Sequence, residues 1–225
     1  MLTKTGPVAA ALLAGVALLA GCGSGSGESA KSGAQIVKDA QQATASAPSV
    51  HVTGSAASTA APLKLDVVAG QGRGGGTITS GTNTVDLILA NKTVVYLKTS
   101  DAAFLASLVG SAATARGDVN RWLQSASTNR TLTGLGQLLD ITRLPQSMYF
   151  TGVPTKQHTT TFAGVSVIPV IDPKGGGTLY VAASGKPYII GIKGAPKSGG
   201  ATLTFDHYGV AQVPPPPPNP LVLPG

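Results

Sequence analysis

Leu63-Lys64-Leu65-Asp66-Val67-Val68-Ala69-Gly70-Gln71-Gly72-Arg73-Gly74-Gly75-Gly76-Thr77-Ile78-Thr79 is the stretch on which the fold turns. Leu63, Leu65 and Val67 alternate with Lys64 and Asp66. The apolar set therefore shares one face of an extended segment and the charged pair the other, which is the pattern of a half-buried strand. Gly70 to Gly75 spells G-x-G-x-x-G, a string that cradles a pyrophosphate where a strand passes into a helix. Here Thr77-Ile78-Thr79 continues as a second strand. The run reads as a glycine-rich hairpin and not as a dinucleotide site.

Working outward from the hairpin, the same alternation returns at Val85-Asp86-Leu87-Ile88-Leu89 and at Thr93-Val94-Val95-Tyr96-Leu97-Lys98, with Gly or Asn clusters between the runs. Short strands joined by tight turns form an antiparallel meander. Upstream, Ser32 is placed to cap a helix over 33–46, in which Ile36, Val37, Ala40 and Ala43 recur at helical spacing and Pro48 closes the element. From Val50 the period is two. Downstream, Asp101 caps a second helical pattern that puts Phe104, Leu105, Leu108 and Val109 on one face and ends near Gly117, and Trp122 follows on a connector. A shorter helix over 132–144 carries Leu135, Leu138, Leu139 and Ile141 and stops before Pro145. Strand candidates then follow at 148–153, 156–162, 165–171, 177–183, 188–193 and 201–208, with glycine turns at 174–177 and 198–200.

The expected fold class is α+β. A single antiparallel sheet of about ten or eleven strands must curl, so the expectation is a strongly curved half-barrel whose concave apolar face is covered by the helices. Such an interior can hold an apolar ligand.

The ends of the chain carry a different message. Lys4 and an apolar run from Val8 to Leu19 have the anatomy of a secretory signal peptide over 1–21. The run is shorter than the roughly 20 apolar residues that span about 30 Å of hydrocarbon. Leu19-Ala20-Gly21-Cys22 matches a lipobox, and Cys22 is the only cysteine in the sequence. Its thiol is the expected acceptor of a diacylglyceryl group. A multi-chain anchor, at about 0.8 kcal/mol per buried methylene, would hold the chain firmly on the extracytoplasmic face of the cell membrane. Residues 22–31 read as the lipidated cysteine and a flexible Gly/Ser tether, and 32–213 as one folded domain. The run Pro214-Pro215-Pro216-Pro217-Pro218 within 214–225 reads as a solvated polyproline tail.

Charge and composition narrow the function. The formal net charge of +7 falls to +6 when Lys4 leaves with the signal peptide, and the basic residues are scattered. Nucleic-acid binding calls for a basic stripe interleaved with aromatics, so no nucleic-acid partner is expected. Anionic lipid headgroups account for the sign more simply. A lone cysteine excludes an internal disulfide and a zinc knuckle. His51, His158 and His207 are far apart in sequence, with no close metal-ligand pair, so each is expected to be solvated or locally hydrogen-bonded. There is no G-x-S-x-G elbow, and Asp172-Pro173-Lys174-Gly175 reads as a turn. No cofactor, metal or catalytic constellation is expected, and the chain does not read as an enzyme. The inner apolar residues Val95 and Leu97, with Phe104, Leu108, Trp122, Leu135 and Leu138 above them, fit either an ordinary packed core or the wall of a lipid pocket.

The lipobox and tether, the early helix leading into Ser49-Val50-His51-Val52-Thr53-Gly54, and the strand Val94-Val95-Tyr96-Leu97-Lys98 form a recognisable order. With the mid-chain Trp122, Gly176-Gly177-Thr178-Leu179-Tyr180-Val181 and Phe205-Asp206-His207-Tyr208-Gly209, the sequence resembles the actinobacterial envelope lipoproteins of the LppX and LprG group. These are similar in fold to the lipoprotein carriers LolA and LolB. The resemblance implies a half-barrel of eleven strands with a cavity for acylated lipids or lipoglycans, used to move or present them in the cell envelope. The sequence departs from a full carrier in the many small residues on its strands and in its proline-rich end. Two functions are therefore carried forward. One is a monomeric, membrane-anchored lipid-binding lipoprotein, and the other is a non-enzymatic envelope scaffold whose tail engages a protein partner.

Overall fold

The structure is a computed structural model that describes residues 27–56, 61–126, 129–148, 150–195 and 200–223. The signal peptide, the lipobox and Cys22 lie outside the described residues.

Helix α1 (Gly33–Ala45) starts where expected. The Ser32 hydroxyl accepts a hydrogen bond from the Gln35 amide at 3.3 Å, satisfying a free donor of the first turn, and Ile36, Val37 and Ala40 are buried. Five strands follow as a meander: β1 (Ser49–Ala56), β2 (Leu63–Gly70), β3 (Arg73–Ser80), β4 (Asn83–Ala90) and β5 (Val94–Thr99). Next come α2 (Ala102–Val109), α3 (Ala112–Asp118), β6 (Leu123–Ala126) and α4 (Arg130–Leu138), and then a 3-10 turn at Leu144–Ser147. The second block contains β7 (Thr155–Lys156), β8 (Thr160–Phe162), β9 (Val165–Ile171), β10 (Thr178–Ala182), β11 (Ile189–Lys193), β12 (Thr202–Asp206) and β13 (Leu221–Val222).

All of these strands belong to one curved, unclosed sheet, in the order β13-β6-β5-β4-β3-β2-β1-β12-β11-β10-β9-β7, with β8 also on β9. The half-barrel and its helices are as the sequence led us to expect. Two blocks distant in sequence meet at the centre of the sheet in the antiparallel pairing of β1 with β12. The register there continues across the meander. Phe205, Val52, Val67, Gly76, Leu87, Leu97 and Leu123 lie side by side on seven neighbouring strands. All but the glycine are buried side chains at 1% exposure or less. One residue along each strand, the opposite face carries Thr204, Thr53, Asp66, Thr77, Asp86 and Lys98 in a parallel row. The helices cover the apolar face only. Ile36 of α1, Leu105 of α2, Ala115 of α3 and Leu132 of α4 join its strand residues in one continuous core.

The Gly70–Gly76 run is the predicted hairpin, and its glycines also set the depth of the core. A Cβ on Gly74 would lie 2.3 Å from the Leu139 carbonyl oxygen, so the segment after α4 rests directly on the β3 backbone. There the Ile141 amide donates to the Gly70 carbonyl at 3.0 Å, and Asp140 accepts from the Gly72 amide at 3.1 Å.

Several expectations are corrected. The helix expected from Asp101 to Gly117 is two helices, because Gly110 takes a left-handed conformation (φ 71°) and Ser111 caps a new start by accepting from the Thr114 amide. The strand expected at 148–153 does not form, and the chain there follows a 3-10 turn around Pro145 and crosses the open side of the sheet. The strand expected at 156–162 is split into β7 and β8. The connector after Trp122 contains strand β6.

The largest correction concerns the proline-rich end, which is docked and not free. Pro214 sits on Gly75, where a Cβ would lie 2.4 Å from its ring, on the face opposite the main core beside Ile88. Beyond the prolines, Leu221 and Leu223 donate backbone hydrogen bonds to Trp122 and Gln124, both at 2.9 Å, and β13 adds to β6 as the one parallel strand pairing among the described residues.

Three stability measurements test this account. Gly74→Ala is expected to cost about 1–3 kcal/mol in denaturant unfolding because a methyl group meets backbone that cannot move alone. Gly134→Ala, in an open position on α4, is expected to gain about 0.5–1 kcal/mol. Truncation after Val213 should lower the thermal midpoint by at least about 3 °C. An unchanged midpoint would mean that the docked end contributes nothing to the fold.

Candidate functional site: an apolar cleft between the crossing segment and the second half of the sheet

The segment after α4 does not lie flat on the sheet. Its 3-10 turn is held from one side by α1, where the Gln41 side-chain amide donates to the carbonyls of Pro145 and Met148 at 3.0 and 3.3 Å. From the other side it is held by Asp172, in the turn between β9 and β10. The Asp172 carboxylate accepts from the amides of Thr151 (2.7 Å), Gly152 (3.2 Å) and Lys174 (3.0 Å) and from the Thr151 hydroxyl at 3.0 Å. Backbone donors from Gly175 and then Thr151 hold its pKa far below the usual carboxylate range. The residue read as a turn former thus also clamps a loop from a distant part of the chain.

Between these two clamps the segment arches over β10, β11 and β12 and leaves a cleft of ≈470 Å³. That falls within the roughly 300–1,000 Å³ of small-ligand sites. Its wall is Leu138, Leu144, Met148 and Phe150, and its floor is Leu179, Ile192 and Leu203. Lys193, Thr151 and Thr178 stand among its polar lining. The floor is deepened by the absence of side chains at Gly177 and Gly194, both of which line it. On its far side, Met148 and Phe150 also line a groove of ≈420 Å³ beside Ala34, Val37 and Gln41 of α1.

The residues singled out in the sequence are distributed unevenly around this space. Leu138 lines the cleft. Val95 and Leu97 are fully buried in the inner face of the sheet, and Phe104, Leu108 and Leu135 pack against that core while partly exposed. Trp122 follows the outward-facing register, with the Lys98 ammonium 5.3 Å from its ring centroid. Met148, Phe150, Ile192 and Leu203 are site residues that strand reasoning passed over. A signal for the first two existed, since Met148-Tyr149-Phe150 is an unbroken apolar run and a half-buried strand alternates.

Two histidines treated as separate in the sequence are neighbours in space. The β1–β12 register sets His51 opposite Asp206, and the His51 and His207 ring centroids are 5.8 Å apart. Burial works against charge on His51, but hydrogen bonds to Asp66 and Asp206 outweigh it and raise its pKa. His158 is exposed, between β7 and β8.

Comparison with solved structures places the fold. LprF from Mycobacterium bovis superposes with a TM-score of 0.54 at 20% sequence identity, over 86% of this chain and 99% of that one. The chain has the LprF fold. The lipoprotein LppX of Mycobacterium tuberculosis matches at a TM-score of 0.48 and 14% identity, over 79% and 95% of the two chains. No family model and no curated protein matches the sequence. The LprF fold at this level of identity fixes the architecture. Among the described residues, no helix is long and apolar enough to cross a membrane.

The Asp172 clamp gives a pH prediction. Its folded-state pKa is depressed, so its contribution is complete above the unfolded value of about 4 and drains away as pH falls below it. Protection of the Thr151 and Gly152 amides in hydrogen exchange should therefore drop between about pH 4 and pH 2. In Asp172→Asn those amides should be poorly protected at neutral pH already. Equal protection in both proteins would show that other contacts hold the segment.

Proposed function

We propose that this chain is a non-enzymatic envelope lipoprotein, anchored through acylated Cys22 to the extracytoplasmic face of the membrane, that binds an acyl chain of a lipid or lipoglycan in the cleft. The observation that carries the proposal is the cleft itself. It is an apolar space bounded by Leu144, Met148, Phe150, Ile192 and Leu203, with Asp172 and Lys193 also in its lining. An acyl chain would find apolar contact along its length. The lipobox Leu19-Ala20-Gly21-Cys22 and the tether behind it support the anchor, and the likeness to LprF supports the fold that frames the cleft. The cleft's size points to one chain, because the space under α2 and α3 is filled by fully buried side chains such as Leu87, Leu97 and Leu105.

The scaffold reading rested on the small-residue strands, the scarcity of bulky cavity-lining groups and the proline-rich end. Of these, the end is docked on its own sheet and so gives no support to a free protein-binding tail.

Native mass spectrometry of the full lipoprotein, purified in mild detergent from an actinobacterial host, should show a co-purified lipid adduct. Phe150→Ser should lose most of the adduct, since removing an apolar wall of this size costs about 1.5–3 kcal/mol, or roughly tenfold or more in occupancy. A wild-type protein without any lipid, or full occupancy in Phe150→Ser, would overturn the cleft assignment. Cys22→Ser should move the protein from the membrane to the soluble fraction, and persistence in the membrane would overturn the anchor.

A further inference from the structure

On the outward face of the sheet, titratable side chains from neighbouring strands converge at the central seam. There the β1–β12 register brings His51 beside Asp206, and the next residue, His207, turns back toward the same carboxylate. Asp206 Oδ1 lies 2.8 Å from His51 Nδ1 and 2.7 Å from His207 Nδ1. These three atoms all fall within 4.8 Å of one another. The other nitrogen of His51, Nε2, is 2.9 Å from Asp66 Oδ1 on β2.

We propose that His51, Asp206 and His207 form a binding site for a divalent transition-metal ion of the zinc type. The donor set is two imidazole nitrogens and one carboxylate oxygen, which suits zinc and neighbouring transition ions and not the all-oxygen cations calcium and magnesium. Ligand atoms about 2.0–2.1 Å from a tetrahedral zinc ion stand about 3.3 Å from one another. The observed separations need only a small outward movement of partly exposed side chains to reach that value. Three protein ligands leave the fourth position to water or to a group from outside.

Asp66 supplies the part that chance clusters lack. A metal-bound histidine generally gives its second N–H to a carboxylate, which fixes the tautomer and aims the free lone pair at the metal. With Asp66 accepting from Nε2–H, the neutral His51 ring presents Nδ1 to the metal position. Two carboxylates around two neutral imidazoles carry two negative charges, which one divalent ion balances. The ion would bridge β1 and β12, so binding would tighten the seam at the centre of the sheet.

The test uses the full lipoprotein in detergent, produced without a polyhistidine tag and stripped with a chelator. Zinc chloride is titrated by calorimetry, with calcium and magnesium chloride as controls, and the thermal midpoint is followed in parallel. One equivalent of zinc should bind and raise the midpoint, and the two controls should do neither. His207→Ala and His51→Gln should each weaken zinc binding at least tenfold, and Asp66→Asn, which removes no ligand, by about 10–100-fold. His158→Ala should bind as the wild type does. Unfolding in chelator separates loss of a ligand from loss of fold, and His207, largely exposed, should leave that midpoint unchanged. Absence of zinc binding to the wild type, or undiminished binding in His207→Ala, would overturn the site.

Discussion

The structure depends on strand register. A sheet side chain changes face with every residue, so slipping any strand by one position would send its whole apolar set to the solvent side. Here a single register runs unbroken from Phe205 through Val52, Val67, Gly76, Leu87 and Leu97 to Leu123, across strands drawn from both blocks. Everything that covers the sheet is placed by that row. The helices have only one face on which apolar groups can be buried, and the polar groups at the seam converge because their strands are locked in step. Burial of the row's side chains, each worth about 1.5–3 kcal/mol, is what makes the alternative registers unfavourable.

Glycine determines where the cover touches the sheet and where it stands away. At Gly74 the missing side chain lets the Leu139 backbone sit on β3, and the interior there is solid. Over β10–β12 the covering segment is suspended between Gln41 and Asp172, and the space beneath it is the cleft. One covering layer thus serves as core at one end and as the wall of a ligand site at the other. The difference lies in which groups hold it and how closely they let it approach.

Much of this was legible in the sequence, and the failures share a cause. Alternation in Leu63-Lys64-Leu65-Asp66-Val67, the glycine hairpin after it, the Ser32 and Asp101 caps and the curled sheet all follow from local rules, and the structure contains them. What local rules missed depends on partners far along the chain. Strand β6 is only four residues long and has no strong pattern of its own, and it is defined by β5 on one side and β13 on the other. The prolines carry few donors and so looked solvated, yet what holds Pro214 is the bare surface of Gly75. Met148 and Phe150 looked like a strand, and their conformation is set by clamps from α1 and from the β9–β10 turn. The nearness of His51 and His207 could not be read without the β1–β12 pairing.

The docked C-terminus has a consequence for how the molecule comes into being. An open sheet edge is a template for unwanted pairing with other chains, and at β6 that edge is closed by Leu221 and Val222 of β13, far along the chain from their partners Leu123 and Gln124. The central seam likewise waits for β12 to meet β1 from near the start of the domain. Pairings of such high sequence separation form late and slowly. Both halves of the sheet therefore gain their neighbours only when segments far apart in the sequence have met. Until β13 docks, β6 keeps an adhesive border, so the fold is most exposed to pairing with other chains while it is still being completed.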